Sequence, residues 1–157
     1  MHDLQVKLAG PNDASAITAV LLEAFIEFKP LYTNRGFAAT TPDAQEVLVR
    51  LEEGPVWVAV SDDEIVGTAS AVLKSESLYV RGMAVLPAKR GRRIGESLLE
   101  QIESYANEYD CRRLFLSTTP FLDRAIRLYE RFGFRRTEQG PSDLFGTPLF
   151  TMEKLIK

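Results

Sequence analysis

Val85-Leu86-Pro87-Ala88-Lys89-Arg90-Gly91-Arg92-Arg93-Ile94-Gly95 joins a strand to a helix through a proline stop and a basic, glycine-punctuated turn. Upstream, Ser77 to Leu86 is apolar on both alternating sets, Leu78, Val80, Ala84 and Leu86 on one and Tyr79, Met83 and Val85 on the other. Such a strand is covered on both faces. Gly82 interrupts it and marks a bulge or a close approach to the backbone. Downstream, Ile94, Leu98, Leu99, Ile102, Tyr105 and Ala106 keep helical spacing, and Leu114 to Ser117 reads as the next strand. A helix start leaves backbone N–H groups without internal partners and carries partial positive charge. Four cationic side chains and a glycine at such a start describe a pyrophosphate cradle. The alternative is a solvated surface turn, because basic turns by themselves specify no ligand.

Working outward, Leu4 to Leu8 alternates like a first strand, and Gly10-Pro11-Asn12-Asp13 supplies turn and N-cap chemistry. Ile17, Val20, Leu21, Ala24, Phe25 and Phe28 form one helix face that Pro30 ends. Leu31 to Thr40 is less regular, and packing within a loop is the favoured reading over a substrate wall. Thr41-Pro42 opens a second helix with Val47, Leu48 and Leu51 inward, stopped by Gly54-Pro55. Val56 to Val60 and Ile65 to Leu73 are strands joined by a tight hairpin at Ser61-Asp62-Asp63-Glu64. Beyond the central unit, Thr119-Pro120 opens a helix with Phe121, Ala125, Leu128, Tyr129 and Phe132 inward, closed by Gly133 at C′. Phe134 to Glu138 and Pro148 to Ile156 complete the chain as strands.

At 157 residues, with 45% hydrophobic and 26% charged residues, the chain fits one domain, 1–157, with a substantial core. A net charge of −3 argues against generic affinity for nucleic acid, so the basic turn is a local feature suited to a small anion. No stretch approaches the roughly 18 apolar residues of a membrane span, and no signal-peptide pattern opens the sequence. Cys111 is the one cysteine, which rules out an internal disulfide and favours a reducing, cytoplasmic setting. His2 is the one histidine, near the terminus, so neither a histidine-based triad nor a zinc site is expected and metal-free chemistry is the starting point.

The order of elements and two separated motifs resemble the GNAT superfamily of N-acyltransferases. The first is similar to the family's Gln/Arg-x-x-Gly-x-Gly/Ala and reads Arg90-Gly91-Arg92-Arg93-Ile94-Gly95 after Val85-Leu86-Pro87. The second, Ala125-Ile126-Arg127-Leu128-Tyr129-Glu130-Arg131-Phe132-Gly133-Phe134, is similar to Ala-x-x-x-Tyr-x-x-x-Gly-Phe. The resemblance implies an α+β, three-layer α/β/α fold: a mixed, mostly antiparallel sheet of about seven strands with about four flanking helices. It also implies acetyl-coenzyme A as donor and a primary amine of a small molecule or peptide as acceptor. Two positions depart from the pattern. Arg93 stands where an inner glycine is usual, so its Cβ restricts φ. Leu122 stands where many members carry an asparagine on the cofactor arm, and no such contact is expected.

Carried over by motif, Met83, Ala84 and Val85 offer main-chain groups to the pantetheine arm where the strand splays from its neighbour, with Val85 N–H a candidate for the oxyanion. Arg90, Gly91, Arg92, Arg93, Ile94 and Gly95 bind the pyrophosphate, chiefly through backbone N–H groups. Tyr129 matches the tyrosine that protonates or hydrogen-bonds the departing thiolate; the competing reading is a core aromatic. A phenol near pKa ~10 gives its proton fully to a thiolate of pKa ~8.5 only at a cost of about 2 kcal/mol, so hydrogen bonding is the simpler role. Phe28, Tyr32 and Tyr79 are the substrate-side candidates. No base is evident: Tyr79 occupies the position of a frequent family glutamate, and Glu76, Glu23 and Glu27 read as structural. Cys111 lies outside both motifs, which favours direct transfer over a cysteine relay.

A coenzyme A-binding or sensing module without catalysis is the rival reading, and a P-loop nucleotide site is disfavoured by the absence of Gly-x-x-x-x-Gly-Lys-Ser/Thr. The C-terminal strands could pair with a second copy to make a homodimer, against which stand Pro148 and the closing charges.

Overall fold

A computed structural model describes residues 3–157, so His2 lies outside the described residues. The strands are β1 (Leu4–Leu8), β2 (Val56–Ser61), β3 (Glu64–Lys74), β4 (Ser77–Val85), β5 (Arg113–Thr118), β6 (Arg135–Thr137), β7 (Asp143–Leu144), β8 (Thr147–Pro148) and β9 (Phe150–Leu155). The helices are α1 (Ala14–Phe25), α2 (Asn34–Thr40), α3 (Ala44–Glu53), α4 (Ile94–Glu108) and α5 (Asp123–Arg131). Seven strands make one sheet in the order β1-β2-β3-β4-β5-β9-β6, and β7 pairs with β8 as a separate hairpin. Only β4 and β5 run parallel; every other neighbouring pair is antiparallel. The expected mostly antiparallel three-layer fold is what the chain adopts, with five helices where about four were anticipated.

Apolar packing fills both faces of the sheet. On one, Leu98, Leu99, Ile102 and Ala106 of α4 meet Val66, Leu78, Val80, Leu114 and Met152, and Tyr129 and Phe134 join them. On the other, Ile17, Val20, Leu21 and Ala24 of α1 and Val47 of α3 cover Val56, Val58 and Ala84. Fully burying one such aliphatic side chain contributes about 1.5–3 kcal/mol, so these two layers are what hold the helices to the sheet.

The local signals explain most boundaries. Asp62 and Asp63, with φ of 52° and 64°, form the tight turn between β2 and β3, the geometry of a type I′ hairpin. Gly133 closes α5 at C′ with φ of 106°. Helix α3 begins two residues later than Thr41-Pro42 suggested, because Asp43 and Glu46 form a reciprocal capping box. Helix α5 likewise starts at Asp123, and Phe121 sits in the preceding turn. Helix α1 ends at Phe25, and Pro30 falls inside a 3-10 segment, Ile26–Leu31, that continues it.

Three expectations are corrected outright. Leu31 to Thr40 is not a loop: α2 occupies its second half, capped by Thr33, whose Oγ1 accepts from Gly36 N at 3.0 Å. The same threonine N–H donates to Thr147 Oγ1 at 2.9 Å, docking the β7–β8 hairpin on α2. Pro148 to Ile156 is split between β8 and β9, and β9 lies inside the sheet between β5 and β6, so its edges are already paired. The third is the face assignment in β4. Thr68 pairs with Ala84 but Ser70 pairs with Arg81, so Ala69 opposes both Gly82 and Met83. The extra residue reverses the alternation: Leu78 and Val80 face α4, whereas Ala84 faces α1. Gly82, at φ of 61°, supplies the turn of the bulge.

Gly54 has an extended φ of 174°, so its lack of a side chain matters for space and not for conformation. A Cβ there would overlap the main-chain carbonyl oxygen of Ala71 in β3, an atom that cannot swing aside. Gly54→Ala is therefore expected to destabilise by about 2 kcal/mol and to lower Tm by about 4–8 °C, read by thermal unfolding; a Tm equal to that of the wild type would refute the contact.

Candidate active site

Strands β4 and β5 pair over only Ser77↔Arg113, Leu78↔Leu114 and Tyr79↔Phe115. Beyond Tyr79 they part, although β4 runs on to Val85 and β5 to Thr118. The bulge at Gly82 bends β4 away at that point. Leu86 N donates to Val66 O on the β3 side at 2.9 Å. Alternation along an extended chain then turns the Val85 N–H toward the opposite, open edge. The expected splay is present, and it exposes main chain in the middle of a sheet.

Two cavities flank the opening. The first, about 400 Å³, is lined by Met83, Ala84 and Val85 of β4, by Arg90, Gly91, Arg93, Ile94 and Gly95 of the basic turn, and by α5. Arg93 is the N-cap of α4 and adopts the left-handed conformation, φ 62° and ψ 22°, with no side-chain cap on the helix. The first intrahelical donor is Ser97 N, to Arg93 O at 3.0 Å. The N–H groups of Ile94, Gly95 and Glu96 thus have no intrahelical acceptor, as a helix start requires. Gly91, at φ 82°, has nothing within 4 Å of where a Cβ would be, so it serves conformation. Gly95 serves packing: a Cβ would lie 2.6 Å from Leu128 Cδ2 on α5.

The cationic side chains divide by role. Arg90 reaches back to the end of α1, pairing with Glu27 at 3.0 Å and with Ala24 O at 3.5 Å. Arg92 is exposed and does not line the cavity. In its place α5 contributes Arg124, Arg127 and Arg131, which sequence reading passed over. Their i, i+3, i+7 spacing puts them on one helix face and was the signal that could have found them. With Lys89, Arg90 and Arg93 they outnumber the one lining carboxylate, Glu96. The donors and the charge suit a pyrophosphate and further phosphate, and the open β4 edge suits an amide-bearing arm.

The second cavity, about 250 Å³, is lined by Tyr32, Thr40, Arg50, Tyr79, Arg81 and the end of β5 through Thr118 and Thr119, among others. Tyr32 and Tyr79 therefore lie here, whereas Phe28 lies in the first cavity. An aromatic chain frames the boundary: Phe28 to Phe121 at 6.1 Å, Phe121 to Tyr32 at 5.0 Å and Tyr32 to Phe37 at 5.9 Å between ring centroids. Leu122, at the departure from the family motif, lines both cavities. So does Tyr129, which is buried, 8% exposed. Burial pushes its phenol up to about 12, with Tyr32 adding to the shift. Tyr32 is itself raised by burial, against the hydroxyls of Thr119 and Thr40.

The glutamates weighed from sequence stay away from the second cavity. Glu27 pairs with Arg90, Glu76 with Arg112 at 3.7 Å, and Glu23 is exposed; none lines it. Cys111 is buried in the core beneath α4, and burial raises its thiol.

Comparison with known proteins agrees with this geometry. The profile of the acetyltransferase (GNAT) family matches residues 19–134. The uncharacterized N-acetyltransferase YjgM of Escherichia coli is 30% identical over 133 residues, covering 81% of this chain and 79% of that protein. Among solved structures, the PaiA N-acetyltransferase of Thermoplasma acidophilum in complex with coenzyme A aligns with a TM-score of 0.83 at 15% identity, over 98% of this chain and 99% of that one. YncA, a putative acetyltransferase of Salmonella typhimurium with acetyl-coenzyme A, aligns with a TM-score of 0.76 at 22% identity, over 98% and 94%. These likenesses carry the fold, and the family profile carries the class: the chain belongs to the acetyltransferase (GNAT) family and is an N-acetyltransferase.

Proposed function

We propose that the first cavity binds acetyl-coenzyme A, that the second receives the acceptor amine, and that Tyr129 assists transfer in the wall between them. The observation that carries this reading is that one buried, protonated phenol borders both cavities. Bound acetyl-coenzyme A supplies an acyl carbon activated as a thioester, on which an amine lone pair makes the new C–N bond as the C–S bond breaks. Backbone N–H groups from Ile94 to Glu96 hold the pyrophosphate, and Arg124, Arg127 and Arg131 face the remaining phosphate charge. Val85 N–H, turned to the open edge, stabilises the oxyanion. Tyr129 donates a hydrogen bond to the sulfur. Complete proton transfer from a phenol near 12 to a thiolate of ordinary pKa ~8.5 would run uphill by about 5 kcal/mol.

The second cavity offers no carboxylate to act as base. The amine therefore reacts as its free base, and the proton it sheds on acylation passes to solvent. Nearby guanidinium groups disfavour an ammonium and so raise the reactive fraction. The free, buried Cys111 fits a reducing, cytoplasmic setting.

Tyr129→Phe is expected to lower kcat by about 10²–10³-fold while the KM for acetyl-coenzyme A changes little; steady-state thiol release reads both, and an unaltered kcat would remove Tyr129 from the mechanism. The wild-type kcat/KM should rise with pH to the pKa of the acceptor amine and then level. A tyrosine of ordinary pKa would add a fall above pH ~10; with the phenol near 12 that fall is expected to be absent up to pH 10.5. Combined Arg127→Ala and Arg131→Ala should raise the KM for acetyl-coenzyme A about tenfold at low ionic strength, an effect that shrinks in salt, whereas Arg92→Ala should do much less. Equal effects would return the charge to the turn.

A further inference from the structure

The second cavity is charged, and all of its charge is positive. Arg50 from α3 and Arg81 from β4 line it, together with hydroxyls and apolar side chains and no carboxylate. Arg81 is ion-paired through Nη2 with Glu53, but its Nε is buried without a hydrogen-bond partner. Arg50 has no carboxylate within salt-bridge distance among the described residues, and its Nη2 donates a long hydrogen bond to Ala39 O at 3.4 Å. It is nevertheless held in place. A Cβ on Gly82 would lie 2.7 Å from Arg50 Nη1, so the guanidinium rests against the bare backbone of the bulge. Burial and the like charge of Arg81 act against the charged form of Arg50 and outweigh the opposing influence of Tyr79, Glu46 and Glu53 nearby. A half-buried guanidinium without a direct carboxylate partner is costly unless something else completes its hydrogen bonds.

We infer that the acceptor is an amine that also carries a carboxylate, of amino-acid size, with the carboxylate held by Arg50 and the amino group directed toward Tyr129. Arginine suits this role because its planar fork matches a carboxylate in two parallel hydrogen bonds. The cavity, about 250 Å³, has room for a ligand of amino-acid size. Carboxylate and amine are then only a few bonds apart, so fixing the first orients the second. This inference rests on the second cavity being the acceptor site.

The test compares amino acids with their carboxamides, which replace the anion by a neutral amide and also lower the pKa of the amine, so rates are compared at a pH above both amine pKa values, where each acceptor is the free base. Thiol release is measured with acetyl-coenzyme A and each amino acid beside its carboxamide, in wild type, Arg50→Gln and Arg50→Lys. The expected outcome is a preference for carboxylates of about 10- to 100-fold in kcat/KM in the wild type, the size of a charge-assisted hydrogen bond. That ratio should collapse toward one in Arg50→Gln and recover in part in Arg50→Lys. Carboxamides as good as carboxylates in the wild type would overturn the inference, and so would a ratio untouched by Arg50→Gln. A direct binding arm separates this from the acetyltransferase reading: calorimetry of the coenzyme A-saturated protein with N-acetylglycine and with N-acetylglycinamide. Tighter binding of the carboxylate, even without turnover for any amine, would sustain the inference while the catalytic reading failed. No preference in binding would overturn it whatever the turnover. The wild-type comparisons need no variant, so a failure of Arg50→Gln to fold leaves the decision intact.

Discussion

The parting of β4 from β5 is the constraint on which the rest of the molecule depends. Three residue pairs hold the two strands together, and the bulge opposite Ala69 ends the pairing. A buried main-chain edge would otherwise be a penalty, since unpaired N–H and C=O groups cost free energy away from water. Here the opening is where both cavities meet. The sheet can tolerate it because each half is secured independently, β1 to β4 by the meander and its two helical layers, and β5 and β6 by the six- and three-pair registers with β9.

Charge is distributed to match. The chain carries a net charge of −3, yet both cavities present mostly cations. Steering of anions therefore comes from local focusing in clefts and not from the whole surface. The two cationic ends are separated by the apolar and aromatic wall of Phe28, Phe121, Leu122 and Tyr129. That wall lowers the local dielectric around the phenol, which is the reason burial dominates its shift. The same side chains that divide the cavities thus keep the tyrosine a hydrogen-bond donor.

Much of this was legible in the sequence. The strand, basic turn and helix around Gly91 were readable because proline, glycine and helical spacing change abruptly within a few residues. Tyr129 was readable because its motif spans a helix and its C′ glycine. Other features were hidden for physical reasons. Gly82 marked the bulge in β4, but the reversal of faces across it was hidden, because both alternating sets of this strand are apolar and the pattern reads the same with or without a one-residue shift. Helix α2 was obscured by Gly36 and by its short length, though Thr33 was an available cap. Arg50 looks like an ordinary solvated helix residue, and only the meander of β2, β3 and β4 brings it against Gly82 and Arg81. The division of labour among the loop arginines was likewise invisible, since it depends on where α1 ends.

Arg93 occupies a left-handed conformation that costs a non-glycine residue roughly 1–2 kcal/mol. A glycine would adopt it freely, but it would also leave the unfolded and unliganded turn with more conformations to lose. Arginine at this position narrows that freedom from the start. The strain belongs to the folding step, so that the N–H groups at the head of α4 are already converged for the phosphate proposed to bind there, and the shape of the turn is set by the chain alone.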